Sequence, residues 1–496
     1  MDADWESLLL QIYNFLDNFR DIASSHMVDF FTHDHWQTKL DDAMARQLLL
    51  LSDEELSQMP SGVWKPAQHV SSRLDDVAYH VAKFSLLTVI KDDYYHEIQQ
   101  KLDCKFINHC MKPKKCHEVE RLSCAIAMLL KQHHVSKVLD IGSGKGYLSE
   151  YMALNYNVEV LGIDNLEEHT ESAMKRNKKL LKLWPSISQA SNPLTKSSNG
   201  PSNPGSMRLK NERKSLNSFI PITATVDTDS LHTNWLIESL EKHSNGKFKE
   251  QDVSRTISYL NRNFLLMYKS VIIEFCLVGL HACGGLSPTL LRMFTAIPNA
   301  KIVCSVGCCY HHCTEDIPDD AGIQEHEVTN FPMSQVLIQK KAKLGRNMRM
   351  VASQATSRMA ELKEIPGYSL FWRALLQVIL KEKYGQDHRD CHVGKIAVKC
   401  KSFTSYVRRA LKKFGLSNEE ISDEEILSYY NAYHWQERHI VAFSVLRLTF
   451  AQCIESLILI DRLQFLIDQG YGDRARIVRV FDPVISPRCY AIMATR

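Results

Sequence analysis

The sequence predicts an α/β fold: a mostly parallel sheet covered by helices and closed by an antiparallel hairpin near the C-terminus. Three observations carry this. A short β-branched run, Val138–Ile141, stops at a glycine-rich turn, Gly142–Gly146, followed by a helical segment, Tyr147–Asn155, and a second strand-like run, Glu159–Ile163. Strand, turn, helix and strand in that order build parallel pairs joined by right-handed crossovers. Further strand-like runs recur at Phe219–Val226, Val271–Leu280 and Lys301–Val306. The last two, Arg476–Phe481 and Cys489–Met493, flank Pro483 and Pro487, which is a hairpin signal.

Taken in order, Trp5 to Lys101 has apolar residues three and four apart, as in Leu8, Leu9, Ile12, Phe15 and Leu16, with a helix start at Ser52-Asp53-Glu54-Glu55. Residues 1–110 read as an accessory helical region. A helix over Glu118–His133 leads into the first strand, and residues 111–340 form the expected core. Within that core, Pro185–Ser218 is rich in Ser, Asn, Pro and Gly and reads as a flexible insertion. Residues 341–469 read as a helical insertion containing a long amphipathic segment, Ile440–Ile467. Residues 470–496 supply the closing hairpin.

The length of 496 residues allows two or three domains or one core with long insertions, and the net charge of +3 excludes a histone-like or strongly acidic protein while permitting a local basic patch. The longest apolar stretch, near Ile454–Ile467, is broken by Glu455, Asp461 and Arg462, so no membrane association is expected. Met1–Glu6 lacks the basic start of a signal peptide. Fourteen cysteines without regular spacing then suit reduced thiols of the cytosol or nucleus.

The glycine turn selects among cofactors. A dinucleotide fingerprint needs its third glycine where Tyr147 stands, and a P-loop needs Ser or Thr where Gly146 stands. A parallel sheet closed by a C-terminal hairpin is instead the layout of Rossmann-like class I methyltransferases, so the expected cofactor is S-adenosyl-L-methionine. Gly142, Ser143, Gly144 and Gly146 would let the backbone approach it at the start of a helix. Asp164 ends the second strand, where an acid accepts hydrogen bonds from ribose hydroxyls; a helix N-cap is its alternative role. Asp227 is a candidate for the adenine edge or simply a turn residue. Asp140 would orient the glycine loop through backbone amides or reach the methionine part through water.

Several longer motifs extend the reading: Met111-Lys112-Pro113-Lys114-Lys115-Cys116-His117-Glu118-Val119, Gly279-Leu280-His281-Ala282-Cys283-Gly284, Gly307-Cys308-Cys309-Tyr310-His311, Phe331-Pro332-Met333-Ser334, and the tail Phe481-Asp482-Pro483-Val484-Ile485-Ser486-Pro487-Arg488. Together with the glycine turn they resemble the methyltransferase-like protein 25 family, which has a sister branch likened to ribosomal RNA adenine dimethylases. The resemblance implies a class I methyltransferase fold and S-adenosylmethionine. The His-x-Cys-Gly and Cys-Cys-x-His patterns are also similar to those of tRNA ribose 2′-O-methyltransferases, which points toward RNA. Adenine dimethylases carry Asn or Asp before a Pro-aromatic pair after the fourth strand; here that place reads His281-Ala282-Cys283-Gly284.

His281, just past the fourth strand, is the candidate group to take a proton from an acceptor as a neutral imidazole, or else a histidine bonded to backbone. Cys283 reads as a small buried hydrophobe. Cys308, Cys309 and His311 are expected to face the reaction site rather than to hold a metal, because no second ligand pair is visible along the chain. Basic clusters at Lys112–Lys115, Lys175–Lys182, Lys340–Arg349 and Arg408–Lys413 are solvated helix faces or, combined, a phosphate-contacting surface. The expectation is an S-adenosylmethionine-dependent methyltransferase acting on RNA, with protein methylation or a non-catalytic scaffold as alternatives.

Overall fold

The computed structural model describes all residues except 1–3, 63, 65–72, 92, 103–110, 191–218, 227–273, 316–328, 386–392 and 395. The chain divides into two compact units, one of Met1–Val89 with Leu344–Leu457, the other of Ile90–Lys343 with Ile458–Arg496. The four-part division read from the sequence, at 1–110, 111–340, 341–469 and 470–496, is therefore redrawn. Its first and third parts largely merge, because distant helices share one core, whereas Ile90–Lys101 goes with the sheet.

The first unit is helical. Phe15, Phe19, Phe84 and Phe450 pack in its interior with linked ring centroids 5.3 to 6.0 Å apart. The buried Gln452 amide donates to the Ser61 carbonyl at 2.7 Å, so even the polar group ordering this core is paired.

The second unit is built on seven strands: β1 Lys137–Ile141, β2 Glu159–Asp164, β3 Phe219–Thr223, β4 Phe275–Ala282, β5 Ala300–Gly307, β6 Ala475–Arg479 and β7 Tyr490–Thr495. Their spatial order is β3-β2-β1-β4-β5-β7-β6. The first five pair in parallel, while β7 runs antiparallel to both β5 and β6. The expected hairpin is thus part of the sheet. Central strands such as Val138–Ile141 are buried along their length, which is why they read as continuous apolar runs rather than alternating ones.

Two expectations change. Ile440–Ile467 forms two helices, Glu437–Thr449 and Ala451–Leu466, and every residue from Ile440 to Gln464 is buried, so the segment is a core element and not an amphipathic one. One window within Asp423–Tyr471 reaches a mean hydropathy of 1.6 and is wholly buried in the protein. Its charged residues point to internal partners: Asp461 accepts the amides of Met333 at 2.8 Å and Ser334 at 2.9 Å, and the Ser334 hydroxyl at 2.6 Å. The insertion expected at Pro185–Ser218 begins as helix, since Glu167–Ala190 is continuous; from residue 191 on it lies outside the described residues.

Candidate methyltransferase site

The carboxyl ends of β1 and β2 carry the glycine turn. Gly142, Gly144 and Gly146 adopt φ of 73°, 55° and 69°, left-handed values that disfavour any side chain. A Cβ at Gly146 would come within 2.7 Å of the Phe219 ring, so this glycine lets β3 close against the turn. At Gly144 an added Cβ would meet nothing within 4 Å, so the space beside this backbone is open. The turn is fixed from beneath: the Gly142 and Ser143 amides donate to the Ile163 carbonyl at 2.8 and 3.0 Å.

Asp164 completes that frame. One carboxylate oxygen accepts the Gly144 amide at 2.9 Å, and the other accepts the Leu166 amide and faces His169 Nδ1, both at 3.0 Å. It ties the turn to β2 and, through the Leu166 amide, fixes the turn that leads into the helix Glu167–Ala190. Two acceptor oxygens still retain capacity for a diol, which is the fit a ribose requires. Of the two roles read for Asp140, its hydrogen bonds do not give it the loop amides. Its oxygen accepts the Ser149 hydroxyl at 2.5 Å from the helix Tyr147–Tyr156, whereas the loop amides use Ile163. Burial pushes its pKa up to about 6, against the Ser149 hydrogen bond and with the Asp164 charge adding to the rise. Asp227 lies outside the described residues.

The second cluster sits at the ends of the adjacent strands β4 and β5. His281 occupies a register irregularity between Leu280 and Ala282 and has φ of 61°, a conformation that costs a non-glycine residue about 1–3 kcal/mol. The irregularity re-aims its ring toward the helix Pro113–Gln132, where Nε2 meets Glu118 Oε2 at 2.9 Å. Glu118 is 0 % exposed. It also receives Lys115 Nζ at 2.9 Å and the buried Ser486 hydroxyl at 2.7 Å. Burial alone would raise the Glu118 pKa, but the His281 and Lys115 hydrogen bonds and charges outweigh it and hold the carboxyl well below its ordinary range. For His281, burial opposes the charged ring, yet Cys308 and Glu118 raise its pKa above the ordinary imidazole value. The arrangement commits His281 Nε2 to Glu118 and leaves Nδ1 on the side of the ring next to Cys308.

Three thiols gather beside this pair. The sulfurs of Cys283, Cys308 and Cys309 all lie within 4.8 Å of one another, with Cys308 and Cys309 3.7 Å apart. The Cys308 pKa is lowered, first by the Cys283 thiol and then by His281, against the effect of burial; that of Cys283 is raised by the same contact. Cys283 is exposed rather than the buried hydrophobe expected. His311 stands in the next turn, its ring against that of His312 with centroids 4.1 Å apart and planes tilted by 43°.

The remaining motifs converge here. His117 Nε2 accepts the Asp482 amide at 2.9 Å, Arg462 reaches Ser287 and Cys313 at 3.2 and 3.5 Å, and Arg488 lies over the Tyr310 ring. Glu118, Lys115 and Ser486 are the functional residues the sequence reading missed. All three lie inside quoted motifs, but no spacing rule links positions 163 and 368 residues apart.

Of the basic clusters, Lys112 and Lys114 are exposed, and Lys115 is half-buried. Arg349 is buried, and Arg408 pairs with Asp423.

A family model described as a methyltransferase domain matches residues 114–316, a span holding the glycine turn, Asp164, Glu118, His281 and all three thiols. Over 98 % of its length the chain is 31 % identical to the probable methyltransferase-like protein 25 of Mus musculus, covering 95 % of that protein, and 31 % identical to that of Homo sapiens, covering 96 %. With matching fold, matching domain and near full-length similarity, the chain belongs to the methyltransferase-like protein 25 family.

Proposed function

We propose that this protein transfers a methyl group from S-adenosylmethionine to RNA. The observation that carries the cofactor half is the open space beside left-handed Gly144, next to the acceptor oxygens of Asp164. Gly142–Gly146 would hold the amino-acid end and Asp164 the ribose. When bound, the group supplies an electrophilic methyl, so the chain's task is alignment and exclusion of water. The acceptor half rests on position. In parallel α/β sheets ligands enter over the carboxyl ends of the strands, and β4, with β5 beyond it, stands next to β1 on that edge.

Exposed Lys112 and Lys114, the latter 3.7 Å from Glu118 Oε1, open the helix whose Glu118 reaches His281, so positive charge borders this edge. Lysines beside a helix N-terminus favour a phosphate backbone over a neutral acceptor. Methyl transfer from labelled cofactor into RNA and protein pools taken from cells lacking the chain tests the proposal. Label in the RNA pool, lost with Gly144→Arg, is the expected result; label in protein alone overturns the RNA assignment, and label in neither overturns the activity.

A further inference from the structure

We propose that Cys283, Cys308 and Cys309 bind a zinc ion, with His281 Nδ1 closing the tetrahedron. The sequence expectation of no metal rested on the lack of a second ligand pair. Folding supplies one. His281 and Cys283 end β4, Cys308 and Cys309 follow β5, and the parallel register sets Ala282 opposite Gly307. Two pairs separated by a crossover helix thus meet side by side.

Four features support the site. The three sulfurs already lie within 4.8 Å of one another. Zinc–sulfur bonds of about 2.3 Å in a tetrahedron put sulfurs about 3.8 Å apart, so the three thiols reach bonding positions with shifts of roughly 1 Å or less, and the fourth ligand comes from a further movement of the His281 ring. The loops are pre-set: the Cys308 amide donates to the Ala282 carbonyl at 3.4 Å, and the Cys313 thiol to the Gly284 carbonyl at 3.3 Å. A Cβ at Gly284 would come within 2.9 Å of His312, which is how closely the two loops approach.

The fourth feature concerns the imidazole. His281 Nε2 is engaged by buried Glu118, while Nδ1 is buried with no hydrogen bond of ordinary geometry and Cys308 beside the ring. A carboxylate on one ring nitrogen and a metal on the other is the usual support of a histidine ligand. Soft thiolates select zinc over the oxygen-seeking magnesium and calcium. Binding would release the thiol protons and lock the two loops together. The site is independent of what the protein methylates.

The test begins with full-length protein purified under reducing conditions without added metal. Elemental analysis should find about one zinc per chain, and X-ray absorption should find three sulfurs near 2.3 Å and one nitrogen near 2.0 Å. Neither measurement depends on a variant folding. Cys308→Ser should lose the metal, while Cys400→Ser, at a half-buried thiol elsewhere, should keep it. Glu118→Gln should weaken zinc binding about 10- to 100-fold. Metal-free protein, an oxygen-dominated shell, or full zinc occupancy in Cys308→Ser would overturn the site; a shell of sulfur alone would overturn the part assigned to His281.

Discussion

Replacing Glu118 by alanine should cost the sheet unit about 3–5 kcal/mol, the range for removing one partner from a buried ion pair. The carboxylate is fully buried and serves three donors at once: His281 at 2.9 Å, Lys115 at 2.9 Å and Ser486 at 2.7 Å. Hydrogen bonds to charged groups contribute about 1.5–3 kcal/mol each, but Lys115 is partly exposed and water can replace its share. The unrecovered loss falls on His281, held in a left-handed conformation, and on Ser486, which is 0 % exposed. For a unit of this size roughly 2–4 °C is lost per kcal/mol, so thermal unfolding should shift down by at least about 6 °C. Glu118→Gln, which keeps the shape and an acceptor, should recover part of the loss. A shift below 2 °C in the alanine variant, or identical melting of the two variants, would refute the view that this carboxylate fastens the helix, β4 and the C-terminal tail together.

Three further outcomes follow from the same geometry. Asp164→Ala should weaken S-adenosylmethionine binding by about 1.5–3 kcal/mol, roughly 10- to 150-fold by calorimetry, and unchanged affinity would remove the ribose assignment. Asp140 has its folded-state pKa raised to about 6 from an ordinary 3.8, so its contribution favours folding at acid pH and is lost as pH rises through 6. Asp140→Asn should therefore gain up to roughly 3 kcal/mol relative to the parent between pH 4 and 7.5 in urea unfolding, and parallel pH profiles would contradict this. Truncation after Gln469 removes β6 and β7, including buried Ile477, Val478, Val480, Phe481, Ile492 and Met493. At about 1.5–3 kcal/mol per side chain this rivals the whole stability of a domain, so a soluble truncated chain with unchanged melting would argue against the hairpin's place in the sheet.

The glycine turn was legible from sequence because its determinants are local. Gly142, Gly144 and Gly146 need left-handed backbone for reasons contained in a few residues, and Asp164 stands one helix away. The strands were legible for the same reason: each is a short apolar run bounded by turn residues. The helical regions misled where burial, not periodicity, decided the pattern. Ile440–Gln464 is covered on all sides, so its charged residues do not mark a solvent face; Asp461 serves the amides of Met333 and Ser334 instead. The separation of 1–110 from 341–469 failed because sequence distance says nothing about which helices share a core.

The second cluster was visible only as isolated motifs, and the reason is topological. A crossover places residues separated by a helix on neighbouring strands, so His281 with Cys283 and Cys308 with Cys309 become one group although neither pair signals the other. The helix before β1 and the tail between β6 and β7 then cover that group from outside the crossover, through Glu118 and Ser486. One strained histidine thus receives support from three separate stretches of chain. Strain at a single backbone position persists only where its surroundings over-determine it. The motifs at Lys114–Glu118, His281–Gly284, Cys308–His311 and Ser486–Arg488 are therefore best understood as parts of one device that fixes the β4 and β5 loops at the edge next to the glycine turn. On the function proposed above, these are the loops that would hold the acceptor, and their mutual support through Glu118, His281 and Ser486 would serve its alignment.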